Sequence, residues 1–219
     1  MQNFERLMKR YLEPWRKYHN FDHINEMLQY LTAFYEENIP NYVFWAVMYH
    51  DAIYKPGAVD NEAASGDLLR EELDKVLTSD EIIKAQAIIR CTGYPHKIPG
   101  EVAQPFRGDV MRVVDTDLAG FSQPWIQYME TQLKVQEELA PASTWSWEGS
   151  DSDDVKRESL DLWMENRLMF LKAYLKRRPF YYTDLFDENL ARANIRREIW
   201  CLEHRVALQD EYEFLSRKR

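Results

Sequence analysis

The chain has 219 residues, enough for one large domain or two small ones, with a core that needs no disulfide staples. Its 37 acidic and 28 basic residues leave a net charge of -9, which argues against a nucleic-acid polymer as the main partner and for a small substrate. Seven Gly and nine Pro against 13 Tyr, 10 Phe and 7 Trp exclude the collagen-like and disordered classes and point to a compact aromatic core.

The first residues, MQNFERLMKR, lack the apolar region of a secretory signal, and no apolar run approaches a membrane span. A cytoplasmic protein with no membrane partner is expected. Helical periodicity then starts at Ile24, Met27, Leu28 and Leu31, spaced i, i+3, i+4, i+7 on one face. Ile39-Pro40-Asn41 breaks it. The segment from Asn41 to Tyr54 is almost wholly apolar and long enough for a buried helix, yet carries His50 and Asp51 near its end. After Lys55-Pro56-Gly57, Leu69, Leu73, Val76 and Leu77 share a helical face. Thr78-Ser79-Asp80-Glu81 reads as a helix start with Ser79 or Asp80 as cap, followed by the face of Ile82, Ile83, Ala85 and Ile89.

A Gly/Pro-rich break runs from Thr92 to Pro105, and another apolar stretch with acids spans Val113 to Phe121. Beyond Gln123-Pro124, the acidic segment from Ala140 to Asp154, with Trp145 and Trp147, reads as the one sizeable loop, either a lid over a site or a docked connector. Leu168, Leu171, Tyr174 and Leu175, then Ile195, Ile199 and Leu202, complete the helical pattern, and His204 falls in a charged C-terminal helix as a surface residue. Strand alternation is nowhere sustained. The expectation is an all-α, single-domain bundle over 1–219, with about eight or nine helices, a metal-site core at about 15–120 and C-terminal helices at about 155–217. Cys91 and Cys201 have no CxxC partner and read as buried thiols of a reducing compartment.

A carboxylate at the end of a run as apolar as the one before Asp51 is costly to bury without a cation or a metal. His23 lies 27 residues before His50, and Asp117 lies 66 residues after Asp51 in another apolar stretch. Two imidazoles and two carboxylates from three helices can converge on one divalent ion, a mixed N/O set that suits manganese, iron, cobalt, nickel or zinc. The bland alternative is that Asp51 caps a neighbouring helix and His50 is a satisfied core imidazole.

The ordered set His23, His50-Asp51 and Asp117 resembles the H...HD...D signature of the HD-domain metal-dependent phosphohydrolase superfamily. The flanking strings YHNFDHINEML (from Tyr18), YHDAIY (from Tyr49), DNEAAS (from Asp60), the pairing of Thr92 with His96, and DTDL (from Asp115) are similar to a bacterial and phage-type subfamily of predicted HD phosphohydrolases. PFYYTDLF (from Pro179) and ARANIRRE (from Ala191) extend the likeness over nearly the whole chain. The resemblance implies an all-helical fold with His23, His50, Asp51 and Asp117 as ligands of one divalent ion, magnesium included. It implies a phosphohydrolase acting on a phosphate ester of a small metabolite, a nucleotide first among the candidates.

Around those four, Glu62 lies eleven residues past Asp51 and is a candidate general base or proton relay, with a capping carboxylate as the alternative. His96, in the loop TGYPHKIPG, is a candidate to meet a phosphate or protonate a leaving group. Asp115 is two residues from Asp117, about 200° round a helix, so it reads as an acceptor for a ligand histidine or a partner for an arginine. Arg16 and Lys97, with Lys17 and Arg107 behind them, are the candidates to bind phosphate oxygens. His19 precedes His23 by four residues and would back it on the same face if the helix starts that early. Trp15, Tyr18 and Phe21 read as core aromatics that a nucleotide base could also use.

Two rival functions stay open. A diiron oxygenase would want further histidines between the HD pair and the last aspartate, where the chain offers His96 alone. A non-catalytic helical binding module with a structural metal would have no need of Glu62 and His96. Self-association into a homo-oligomer is compatible with the sequence.

Overall fold

The computed structural model describes residues 2–102, 106–144, 153–206 and 208–217. Among them are ten α-helices and one short 3-10 helix, with no strand, so the fold is all-α. No described helix is long and apolar enough to cross a membrane. Where the sequence predicts one domain, the chain groups into two compact units, Met1–Asp117 and Leu118–Arg219.

The first unit holds α1 (Gln2–Tyr11), α2 (Phe21–Phe34), α3 (Asn41–Tyr49), α4 (Asn61–Leu73), α5 (Ser79–Thr92) and α6 (Phe106–Asp117). Helix α5 is the hub, packing on α3, α4 and α6, while α2 packs on α3 and α6. The apolar spacing explains this arrangement: Ile24, Met27 and Leu31 of α2, Val43 and Val47 of α3, Leu69 of α4 and Ile88 of α5 are all excluded from solvent. Two expected core positions are instead exposed. Val76 lies past the end of α4 in the turn to α5, and Ile83 points outward because it is one residue, about 100°, round from buried Ile82.

Helix α5 starts one residue earlier than Ser79 or Asp80 would place its cap. Thr78 is the cap, its hydroxyl accepting from Glu81 N–H while the Glu81 carboxylate accepts from Thr78 N–H, a reciprocal capping box. Helix α3 ends sooner than the apolar run suggests. Tyr49 is its last residue, His50 its C-cap, and Asp51 stands in the turn that follows.

Polar residues of the DNEAAS string pin that turn. Ser65 Oγ accepts from Ile53 N–H at 3.0 Å and donates to Ile53 O at 3.2 Å. The Asn61 side chain brackets Lys55, accepting from its N–H at 2.9 Å and donating to its carbonyl at 3.0 Å. Such hydrogen bonds contribute about 0.5–1.5 kcal/mol net each, so together these contacts hold the chain after Asp51 in one conformation.

The second unit begins with the 3-10 helix Ala119–Ser122 and continues through α7 (Trp125–Thr144), α8 (Asp153–Lys176), α9 (Glu188–Glu203) and α10 (Leu208–Ser216). Helix α8 packs on α7 and α9, and α10 on α7, around Met129, Cys201 and Leu208. The expected loop at 140–154 is shortened at both ends, Ala140 to Thr144 extending α7 and Asp153 and Asp154 opening α8, while residues 145–152, with Trp145 and Trp147, lie outside the described residues. The expected C-terminal helix is divided, which brings the count to ten. His204 caps α9, and Arg205 follows with a left-handed φ of 52°.

Three polar residues of ARANIRRE, Arg192, Asn194 and Glu198, face inward, while Arg196 and Arg197 are exposed. Arg192 donates to the carbonyls of Leu175 and Arg177, Asn194 Nδ2 to those of Phe121 and Gln123, and Glu198 is fully buried against Arg167 at 2.7 Å. Tyr128 donates to the same Glu198 carboxylate, and Arg167 also donates to Gln132 Oε1. These side chains are satisfied by packing inside their own unit.

Candidate metal centre

The site lies within the first unit. Asn20 caps α2, its side chain accepting from Asp22 N–H at 2.8 Å, which sets His23 in the opening turn. His19 therefore precedes the helix and does not share a helical face with His23. Its ring stacks on Tyr54 with centroids 4.2 Å apart and meets the Tyr18 ring edge-on at 4.9 Å.

Asp117, the last residue of α6, is the meeting point. Its Oδ1 lies 3.0 Å from His23 Nε2 and 3.6 Å from His50 Nε2, and its Oδ2 lies 3.2 Å from His96 Nε2. Asp51 Oδ2 reaches His50 Nε2 at 3.0 Å. His23, His50 and Asp117 each offer a ligand atom within 4.8 Å of the others. Asp51 flanks this trio through His50, so the expected four-ligand set is drawn together with three at its centre. His96, expected as a loop group for phosphate, reaches the second oxygen of Asp117.

His50 decides what the cluster can hold. Its Nδ1–H donates to Val47 O at 2.8 Å, and because a carbonyl only accepts, this bond fixes the proton on Nδ1. Nε2 is buried and makes no hydrogen bond, though two carboxylates stand beside it. A buried polar atom without a partner is an anomaly unless something else occupies its lone pair. The donor set of imidazole nitrogens and carboxylate oxygens fits a divalent ion of the borderline class.

Electrostatics agree with that fit. Burial alone would lower the His50 pKa, yet the charges of Asp51 and Asp117 outweigh it and hold the ring well above its ordinary value. Burial would likewise raise Asp117, but hydrogen bonds from His23 and His96 and the charge of nearby His50 hold it well below the carboxylate range. Asp51 behaves the same way, burial opposed and overcome by the charges of His50 and then His19. The pocket thus gathers carboxylate charge that a cation would compensate.

Glu62 is the second residue of α4 and half-buried. Burial raises its carboxyl above the ordinary value, with the charges of Asp51 and Asp117 adding to it. A β-carbon on Gly93 would lie 2.8 Å from Glu62 Cδ, so this glycine is what makes room for the carboxylate. Three residues on, His96 sits in the left-handed region at φ 57°, closing a turn through its N–H to Gly93 O at 2.7 Å. A non-glycine residue in that region costs of order 1 kcal/mol, a strain found where a side chain must be aimed.

Arg16 corrects the sequence expectation. It is 5% exposed, and its guanidinium donates to Glu13 Oε2, His19 O, Asp51 O and Ala52 O, so no open fork faces a phosphate. Lys97 is exposed beside His96, and Arg107 donates to Pro99 O. Asp115 is fully buried in α6. Nothing in the sequence marked Ser65, Asn61 or Gly93 as supports, although the first two lie in the DNEAAS string.

Comparison with family models, curated proteins and solved structures returns no match to this chain.

Proposed function

We propose that this chain is a metal-dependent phosphohydrolase of the HD-domain type, acting on a phosphate ester of a small metabolite, with nucleotides as the first class to test. The observation that carries the reading is His50 Nε2, buried, without a hydrogen-bond partner and aimed between Asp51 and Asp117 by the Nδ1–H bond to Val47 O. His23, His50 and Asp117, flanked by Asp51 and His96, are the residues to hold a divalent ion. When bound, such an ion supplies positive charge to a phosphoryl oxygen and lowers the pKa of water toward neutrality.

The protein's own groups complete the chemistry. The raised carboxyl of Glu62 suits a proton acceptor that is half-loaded nearer neutrality than a free carboxylate, so it takes the proton of the attacking water. A P–O bond forms to that water oxygen, the ester P–O bond breaks, and His96 returns a proton to the departing alkoxide. Glu62 and His96, additions that a purely structural ion would not need, favour this over an inert metal module.

The test is a panel of phosphorylated metabolites with manganese, cobalt and magnesium, run in heavy-oxygen water. Label in the phosphate-containing product and a rate indifferent to dioxygen are expected. Strict dependence on iron and dioxygen would overturn the hydrolase and favour a diiron oxygenase.

A further inference from the structure

We infer that Arg16 is a positioning residue for the metal centre, fixing the backbone that carries Asp51 relative to the segment that leads into His23. This rests on the metal reading above. The guanidinium spans two stretches of chain, donating from Nη1 to His19 O at 3.0 Å and to Asp51 O at 2.7 Å, and from Nη2 to Ala52 O at 3.3 Å. Its Nε is anchored by Glu13 Oε2 at 2.9 Å, a residue of its own turn. His19 stands four residues before His23, and the Asp51 carbonyl belongs to a flanking acid itself. A shift of the guanidinium therefore moves both sides of the site.

The environment is built to keep that cation in place. The rings of Tyr11, Trp15 and Tyr54 lie 5.3, 5.0 and 5.7 Å from its central carbon, a cation held against three π-faces. It also sits past the C-terminal end of α3, where the helix dipole favours positive charge. Lysine would keep the charge but could not bridge three carbonyls in one plane, which only the forked guanidinium geometry allows. A buried arginine holding ligand-bearing backbone through carbonyls does for the main chain what outer hydrogen bonds do for ligand imidazoles.

Arg192 supplies a matched control. It is buried and also donates to two backbone carbonyls, those of Leu175 and Arg177, but in the second unit. Purified wild type, Arg16→Lys, Arg192→Lys and Glu13→Ala would be titrated with cobalt(II) well below their unfolding temperatures. Affinity and the visible absorption of bound cobalt are read together, and folding is checked by circular dichroism. Arg16→Lys should bind cobalt about 10–100-fold more weakly with an altered cobalt spectrum, the range known for lost outer-shell support. Arg192→Lys should lose thermal stability while binding cobalt as wild type does. Glu13→Ala removes only the anchor of Nε from a partly exposed carboxylate and should weaken binding by a smaller factor in a folded protein. Wild-type affinity and spectrum in Arg16→Lys, or in Glu13→Ala should Arg16→Lys not fold, would overturn the inference. Wild type that binds neither cobalt nor manganese would overturn the metal centre itself.

Discussion

The Glu62 carboxylate rests on Gly93 so closely that a β-carbon there would stand 2.8 Å from its Cδ. Gly93 has an extended backbone, φ -67° and ψ 146°, that any residue adopts, so the glycine is required by the neighbour and not by the turn. Gly93→Ala is expected to displace the end of a flexible side chain while leaving the fold intact. Turnover on the responsive phosphate substrate should fall about 100-fold, as for Glu62→Gln, since general acid–base catalysis contributes at least that much. Metal content and melting temperature should hold. Steady-state kinetics beside a thermal melt decide it, and a drop in melting temperature without a kinetic defect would count against the placement of Glu62.

Elemental analysis of purified protein should find about one transition-metal ion per chain, and His50→Ala or Asp117→Ala should lose it, because each removes a member of a small ligand set. Asp117→Ala should be the more damaging, since His23, His50 and His96 all converge on that one carboxylate. Unchanged metal content in both variants would remove the centre.

The two thiols should be slow to react in the folded protein. Burial pushes the Cys91 thiol up to about 11, and burial with a hydrogen bond to Glu211 pushes Cys201 up to about 12. Both values are raised, so the reactive thiolate stays scarce until the pH nears them; at pH 8 roughly one Cys91 in a thousand is ionised, and fewer of Cys201. Alkylation with and without guanidinium chloride checks this, with labelling at both positions expected only on unfolding.

In the second unit, Glu198→Ala should cost about 3–5 kcal/mol by leaving Arg167 buried without its carboxylate. Tyr128→Phe, which removes one hydrogen-bond donor to that carboxylate, should cost about 1.5–3 kcal/mol. Urea unfolding of both variants measures the difference, and a Glu198→Ala protein as stable as wild type would show that the ion pair contributes nothing there.

Much of the site was legible because its residues contradict their surroundings. His50 with Asp51, and Asp117, are polar groups on two apolar stretches, and two well-separated anomalies of compatible chemistry invite a common partner. Arg16 was misread because a guanidinium satisfied by carbonyls leaves no trace in sequence: its partners are main-chain atoms, and every residue carries those. The reach of His96 to Asp117 and the seat of Glu62 on Gly93 depend on loop geometry that Gly and Pro announce but do not specify. In the fold, periodicity located the helices well and their ends poorly. Ser79 and Asp80 were both sound caps by composition, yet only Thr78 has the Glu three residues on that closes the reciprocal pair.

His23 and Asp117 touch across 94 residues of chain. Holding two such distant points together costs a flexible polymer on the order of 4 kcal/mol in lost configurations. A cation that grips both ends is therefore a removable crosslink around nearly the whole first unit, and its occupancy adds to the free energy of folding as the logarithm of the free ion concentration. Chelation should loosen that loop as reduction loosens a disulfide, so the melting temperature of the first unit becomes a gauge of the ion available to it.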